Sequence, residues 1–253
     1  MLKALLERIR QGKRTIPFPP PEDALPAGFR GRPVIDAAKC RDGCRECAEA
    51  CPTGAITPGP LPTLDLGRCL FCNECVDRCP SGAIRFTPDY RMAATRREDL
   101  IVGAGSPTLA RPLDPRRRSL FARSFRLRQV SAGGSAGCEQ EAAALGNVVF
   151  DSGRFGIQFV ASPRHADGIL VTGPVTVNMR TALEKTYDAV PEPKVVIALG
   201  TAAISGAPFA GNPEVLGGIE KLVPVDLYVP GHPPHPLTLL DGLLRLLGRL
   251  RGT

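Results

Sequence analysis

The carboxyl-terminal half of the chain alternates short, wholly apolar runs with longer segments of helical periodicity. Runs such as ILVT (169–172) and VVIAL (195–199) contain no charged residue, which is typical of parallel strands buried on both faces. The pattern predicts a helix near 177–189 and strands near 127–130, 157–160, 168–172, 195–199 and 225–229. This half is therefore expected to form an α/β domain with a mainly parallel sheet.

Both ends of the chain carry apolar stripes at helical spacing. Leu2, Leu5, Leu6 and Ile9 recur among lysines and arginines, which predicts a basic amphipathic helix over Met1–Arg14. At the other end, the residues from Pro236 to Arg251 place six leucines along one helical face. We expect the stripe at this end to face the core of the protein.

Proline and glycine mark the boundaries between these parts. Six prolines fall between residues 17 and 33, so this stretch is expected to run extended, as a strap that holds on to neighbouring subunits. A second glycine- and proline-rich stretch begins at Gly103 and predicts an interdomain linker. The expected parts are a basic helix with the strap (1–33), a first domain (34–102), a basic linker (103–126) and a second domain (127–253).

The net charge of +7 is unevenly distributed. Residues 1–33 carry +4 and residues 91–128 carry +7, whereas residues 34–90 and 129–253 each carry −2. With no tryptophan and three tyrosines, the basic segments lack the aromatic platforms that stack nucleic-acid bases. They are expected to meet an acidic partner subunit or an anionic membrane surface, and the alternative is that they are simply solvated.

Two further features bear on location. The chain has neither an uninterrupted apolar stretch long enough to span a bilayer nor a recognisable secretory signal. It is therefore expected to be cytoplasmic.

Eight of the nine cysteines lie in an internal repeat, CRDGCRECAEACPTGAI (40–56) and CLFCNECVDRCPSGAI (69–84). The second copy has the CxxCxxCxxxCP spacing of two-cluster bacterial ferredoxins, in which three close thiolates bind one 4Fe–4S cluster and the fourth binds the other. Cluster one is expected on Cys40, Cys44, Cys47 and Cys79, and cluster two on Cys69, Cys72, Cys75 and Cys51. Disulfides need an oxidising compartment, and zinc sites favour separated CxxC pairs.

The first copy departs from the usual spacing. Three residues, rather than two, separate Cys40 from Cys44. We expect the extra residue to bulge at Gly43, because glycine tolerates strained backbone conformations.

These motifs resemble two known kinds of subunit. FRGRP (29–33), LDLGRCLFCNECVDRCPSGAI (64–84) and REDL (97–100) resemble the two-cluster ferredoxin subunit of formate hydrogenlyase and complex I. RFGIQFVASPRHAD (154–167), LVTGPVT (170–176), PEPKVVIALG (191–200) and VPVDLYVPG (223–231) resemble the small subunit of group 4 NiFe hydrogenases and its complex I counterpart. The resemblance implies an α+β ferredoxin-like domain with two 4Fe–4S clusters, fused to a flavodoxin-like α/β domain of the hydrogenase small-subunit type.

The resemblance also implies where a third, proximal 4Fe–4S cluster would be held in the second domain. The four ligand positions of the family correspond to Ser135, Cys138, Ala202 and His232, so one cysteine of four remains. A third cluster is not expected. The alternatives are a cluster held by Cys138, His232 and Ser135, or a zinc site from Cys138, His165, His232 and His235.

The resulting hypothesis is an electron-transfer subunit of a membrane-associated, hydrogenase-like or complex I-like oxidoreductase complex. Its partners would be a large subunit and membrane subunits, at the inner face of the cell membrane, without nucleic acid. No catalytic residues are expected, because the GAGS segment (103–106) lacks the strand–turn–helix context of a nucleotide loop. A structural or assembly subunit without redox turnover and a free ferredoxin-type carrier remain alternative hypotheses.

Overall fold

The computed structural model describes residues 2–21, 25–103, 105 and 107–250. Its strands are β1 (Pro33–Ile35), β2 (Ile56–Thr57), β3 (Thr63–Asp65), β4 (Ile84–Phe86), β5 (Ile101–Val102), β6 (Phe125–Ser131), β7 (Ile157–Phe159), β8 (Gly168–Thr172), β9 (Val195–Leu199) and β10 (Leu227–Val229). Its helices are α1 (Leu2–Gln11), α2 (Glu46–Glu49), α3 (Glu74–Asp77), α4 (Pro115–Leu120), α5 (Gly137–Ala144), α6 (Val177–Ala189), α7 (Thr201–Ser205) and α8 (Pro236–Leu246). Turns of 3₁₀-helix lie at Arg97–Leu100, Ser152–Phe155, Pro163–His165 and Ile219–Lys221.

The first domain is built from two copies of one small unit. β1 pairs with β4 in antiparallel fashion, while β3 lies between β2 and β5 in a second antiparallel sheet. α2 and α3 are single turns, each with a buried cysteine, Cys47 and Cys75. The sequence repeat therefore reappears as a structural repeat, with the cysteine loops between the strands.

The second domain has a five-stranded sheet in the order β10-β9-β8-β6-β7, and every neighbouring pair is parallel. All residues of β8 and β9 are buried, as expected for strands covered on both faces. The predicted bounds of β8, β9 and α6 agree with the structure. β10 is shorter than predicted and begins at Leu227.

The last helix, α8, is shorter than predicted. Its leucine stripe faces the core, and Leu240 and Leu243 are fully buried. The helix ends at Leu246 because Gly248 adopts a left-handed conformation, with φ of 67°, and its N–H donates to the carbonyl of Arg245. A glycine in this conformation is a common helix terminator. Arg251 lies outside the described residues.

The stretch predicted as a linker (103–126) packs against the second domain instead of only connecting the two. The N–H of Ala110 donates to the carbonyl of Ala93, and that of Leu113 donates to the carbonyl of Leu246. Asp114 accepts a hydrogen bond from the N–H of Arg117 and so caps α4. The first strand of the sheet begins at Phe125, inside the predicted linker, while Ala104 and Ser106 lie outside the described residues.

The strap packs on its own chain in the part that the structure describes. The N–H of Ile16 donates to the carbonyl of Val149. The ring of Phe18 lies 6.4 Å from that of Tyr90 and 6.0 Å from that of Phe155. The expectation that the whole strap holds neighbouring subunits is therefore wrong for these residues, because their side chains already have partners in both domains.

The N-terminal helix differs from the strap. α1 ends before Gly12, whose φ is 65°, and it buries none of its residues. Leu2, Leu5 and Ile9 are 72%, 57% and 71% exposed. Among the residues described, none of the helices has both the length and the apolar character needed to cross a membrane.

Candidate metal centres

The two cysteine loops have matching hydrogen bonds. After each Cys-Pro pair the chain turns, and the N–H of Ala55 donates to Sγ of Cys51 over 3.2 Å. In the other copy the N–H of Ala83 donates to Sγ of Cys79 over the same distance. Such donors stabilise a thiolate, so each crossing cysteine is prepared for the charged form in which it would bind iron.

The thiols fall into the two predicted sets. Burial raises the pKa of Cys47, and the nearby thiols of Cys79, Cys44 and Cys40 raise it further. Cys79 belongs to the other sequence copy, so the predicted crossing places it beside Cys47.

The second set shows the same crossing. Burial raises the pKa of Cys69 to about 12, with further contributions from Cys75, Cys51 and Cys72. These four cysteines also line a single hollow together with Leu64. Cys72 is exposed, whereas Cys69 and Cys75 are buried.

This arrangement fits 4Fe–4S clusters. Buried, mutually repelling thiols are poor at ionising alone, and bound iron supplies the positive charge that deprotonates a coordinating thiol. Four soft sulfur donors around one hollow are the donor set that iron–sulfur clusters use. Ligation by these eight residues remains a prediction.

The extra residue near Cys40 is accommodated as expected. Gly43 has a φ of 72°, and a Cβ there would meet no atom within 4 Å. The N–H of Cys44 donates to the carbonyl of Arg41, which closes the turn. Cys40 therefore still lies near Cys47 despite the longer spacing.

The four positions carried over to the second domain line one cavity. Ser135 and Cys138 follow β6, Ala202 follows β9, and His232 follows β10. All four border a cavity of about 220 Å³ at the carboxyl ends of parallel strands, where open α/β sheets generally bind ligands. The site geometry is thus retained with a hydroxyl, a thiol, a methyl group and an imidazole as its lining groups.

These side chains do not fit a cluster held by four thiolates. Burial raises the pKa of Cys138 to about 12, and Glu139 and Glu141 raise it further. A Cβ on Gly200 would lie 2.5 Å from Sγ of Cys138, so the thiol packs closely on that glycine. Ala202 has no donor atom.

The zinc alternative is not assembled. Across the described ranges, no three His, Cys, Asp or Glu side chains are grouped to hold a single metal ion. The four residues of that hypothesis, Cys138, His165, His232 and His235, therefore do not form a zinc site in this structure.

A second cavity lies between the two domains. It has a volume of about 400 Å³ and is bordered by Cys72 and by His232, which also borders the first cavity. The hydroxyl of Thr238, on the same wall, is buried and has no hydrogen-bond partner. His232 therefore lies between the surroundings of cluster two and the cavity of the second domain.

Several contacts at this boundary were not predicted. Thr201, next to Ala202, donates its hydroxyl to the carbonyl of Cys69 over 2.8 Å. The main chains of Ala94 and Tyr228 form two hydrogen bonds, of 3.0 and 2.8 Å, at the edge of β10. A threonine or an alanine in a loop has no distinctive sequence signal, since such contacts depend on how the domains meet.

Comparison with known proteins gives two family matches. Residues 136–246 match the family described as NADH ubiquinone oxidoreductase, 20 Kd subunit. Residues 39–83 match the 4Fe-4S dicluster domain. The predicted order of a ferredoxin-type 4Fe–4S domain followed by a complex I- or hydrogenase-type domain is confirmed.

Individual relatives agree with these matches. An NADH-quinone oxidoreductase subunit from Heliobacterium modesticaldum is 45% identical over 119 residues, which cover 47% of this chain and 68% of the relative. The NADH-quinone oxidoreductase subunit of the same name from Clostridium beijerinckii is 46% identical over 114 residues, covering 45% and 68%. Formate hydrogenlyase subunit 7 of Escherichia coli is 44% identical over 128 residues, covering 51% and 50%. The chain therefore spans between half and about two thirds of the length of these relatives.

Among solved structures, one chain of the membrane-bound sulfane sulfur reductase (MBS), an archaeal respiratory membrane complex, has a TM-score of 0.47. It is 30% identical, and the match covers 54% of this chain and 75% of that chain.

Proposed function

The chain belongs to the family of the NADH ubiquinone oxidoreductase 20-kDa subunit, and we propose that it is an electron-transfer subunit carrying two 4Fe–4S clusters. Its complex would be membrane-associated and hydrogenase-like or complex I-like. The observation that carries the proposal is the grouping of eight thiols into two sets that each include one cysteine from the other copy.

The eight cysteines have distinct tasks in this proposal. Cys40, Cys44, Cys47 and Cys79 hold cluster one, and Cys69, Cys72, Cys75 and Cys51 hold cluster two. Each cluster, when bound, accepts and donates single electrons. The protein buries the thiols, supplies N–H donors to the sulfurs and leaves Cys72 at an exposed edge.

We propose that the second domain is a degenerate member of its family that serves mainly as a docking platform. The strand order β7-β6-β8-β9-β10 supports the flavodoxin-like, hydrogenase small-subunit type of fold. Ala202 and His232 in place of two cysteines argue against a third cluster. A fold can persist after its site has changed.

The partners follow from the same proposal. A large subunit would cover the second domain near its cavity, and membrane subunits would hold the complex at the inner, cytoplasmic face of the cell membrane. α1 supports contact with an anionic membrane surface, because it exposes leucines together with Lys3, Arg8 and Arg10.

Ala202 also favours the second candidate function, a structural or assembly subunit. Without a third cluster, a route through the second domain is interrupted, since electron transfer needs closely spaced centres. In this case the two clusters would only stabilise the first domain.

A potentiometric titration of the anaerobically purified protein, followed by EPR, separates these functions. The electron-transfer proposal predicts two reversible one-electron steps within the range of known iron–sulfur proteins, roughly −700 to +450 mV. Clusters that cannot be reduced and reoxidised without decomposing would support the structural function. The absence of any cluster would contradict both.

A further inference from the structure

Thr201 connects the second domain directly to a cysteine of the proposed cluster two. It is fully buried at the start of α7. Its hydroxyl donates to the main-chain carbonyl of Cys69 over 2.8 Å. The carbonyl of Gly231 lies farther from the same oxygen, at 3.2 Å, and accepts the N–H of Thr201 over 2.9 Å. The shorter contact of the hydroxyl is therefore the one to Cys69.

The surroundings of Cys69 give this hydrogen bond a large effect. Cys69 is 7% exposed, and burial raises the pKa of its thiol to about 12. A hydrogen-bond dipole in such surroundings is screened less than in water. It therefore acts more strongly on any charge that the neighbouring sulfur carries.

Packing fixes the two partners relative to each other. A Cβ on Gly67 would lie 2.7 Å from Cγ2 of Ile204, in α7, and 2.9 Å from Cζ of Arg97. The loop that leads to Cys69 is thus pressed against the helix that carries Thr201. Because neither side has room to shift, the hydroxyl holds the carbonyl in one position.

The other sequence copy lacks this contact. Cys40 occupies the position that corresponds to Cys69. Within the described part of the chain, no side-chain hydroxyl donates to the carbonyl of Cys40. An effect of Thr201 is therefore expected at one cluster and not at the other.

We propose that Thr201 is a positioning residue that raises the reduction potential of cluster two, an inference that rests on the proposed function. Reduction adds negative charge near Cys69, and a hydroxyl donor directed at the carbonyl of that residue stabilises the added charge. Hydrogen bonding around the ligands is one of the means by which proteins set cluster potentials.

The test is an EPR-monitored redox titration of the full chain carrying Thr201→Val, with iron content measured on the same samples. Valine keeps the shape and removes the donor, so one reduction step should shift to lower potential while the other stays. Thr201→Ser keeps the hydroxyl and should restore the original step. Thr201→Ala removes the donor without adding a methyl group, and gives the same information if the valine variant does not fold.

Thr172→Val is the matched control. Thr172 is also fully buried, and its hydroxyl donates to Glu139 over 2.6 Å, away from the cysteine loops. It should lower stability and leave both reduction steps in place.

The outcomes separate this inference from the proposed function. Unchanged potentials in both Thr201→Val and Thr201→Ala, with full iron content, would overturn the inference and leave the proposed function intact. An equal shift of both steps would also overturn it. Absence of clusters in the unaltered protein would overturn the proposed function itself.

Discussion

Arg97 forms a two-pronged ion pair with Asp65, with Nη1 and Nη2 at 2.8 and 2.6 Å from the two carboxylate oxygens. Both side chains are about four-fifths buried, with exposures of 20% and 17%. The main-chain carbonyl of Asp65 accepts the N–H of Cys69. The pair therefore anchors the loop that begins cluster two.

Loss of this ion pair should destabilise the first domain. Arg97→Ala leaves a mostly buried carboxylate without its partner, which should cost about 2–3 kcal/mol of unfolding free energy. Thermal unfolding under anaerobic conditions measures the loss. Arg96→Ala is the control, since Arg96 is 59% exposed and its ion pair with Asp99 should contribute about 0–1 kcal/mol. Equal effects of the two substitutions would contradict this assignment.

The crossing of the cysteines has a direct genetic test. Cys79→Ser and Cys47→Ser should remove the same cluster, because both residues belong to one set. The two variants should therefore show the same residual EPR spectrum. Cys51→Ser and Cys75→Ser should share the other one, and Cys138→Ser should keep both signals. If Cys79→Ser instead matched Cys75→Ser, the crossing would be wrong.

The parts predicted from the sequence are those whose signal is local. Strands β8 and β9 are read from runs that must be buried on both faces, and the cluster sets follow from cysteine spacing. α4, the seat of Phe18 and the hydrogen bond from Thr201 were not predicted. These depend on which surfaces meet after folding, and neither hydropathy nor spacing records that.

The stability of the protein should fall in mild acid, partly through His235. Its Nδ1 accepts the N–H of Leu237 and caps α8, and burial lowers its pKa. In the unfolded chain the imidazole has its usual pKa of about 6.5. Below that pH the unfolded state takes up a proton that the folded state does not, so stability decreases as the pH falls.

The measurement is the melting temperature between about pH 7.5 and pH 6, compared with that of His235→Asn. Asparagine caps helices without titrating in this range, so the variant should show a weaker pH dependence. Both proteins keep His232, whose pKa burial also lowers. An identical pH dependence would exclude His235 as a contributor.

α1 should bind anionic lipid without contributing to the clusters. A chain lacking residues 2–11 should keep its EPR signals and melting temperature, because α1 buries none of its residues. It should lose affinity for phosphatidylcholine vesicles that contain phosphatidylglycerol, by about 1 kcal/mol for each basic residue removed. Lys3→Gln with Arg8→Gln should reproduce part of the loss, and added salt should weaken binding of the unaltered chain. Unchanged vesicle binding after the deletion would contradict this role.

The central claim is that this chain carries two clusters and that its second domain keeps a cavity that no longer holds a third. Native mass spectrometry of the anaerobically purified, unaltered protein, alongside a Ser135→Cys, Ala202→Cys, His232→Cys variant, tests it most directly. We predict about eight iron atoms in the unaltered chain and about twelve in the variant, since the restored thiols would line one cavity. About twelve iron atoms in the unaltered protein would contradict the claim, because Cys138 and His232 would then support a third cluster.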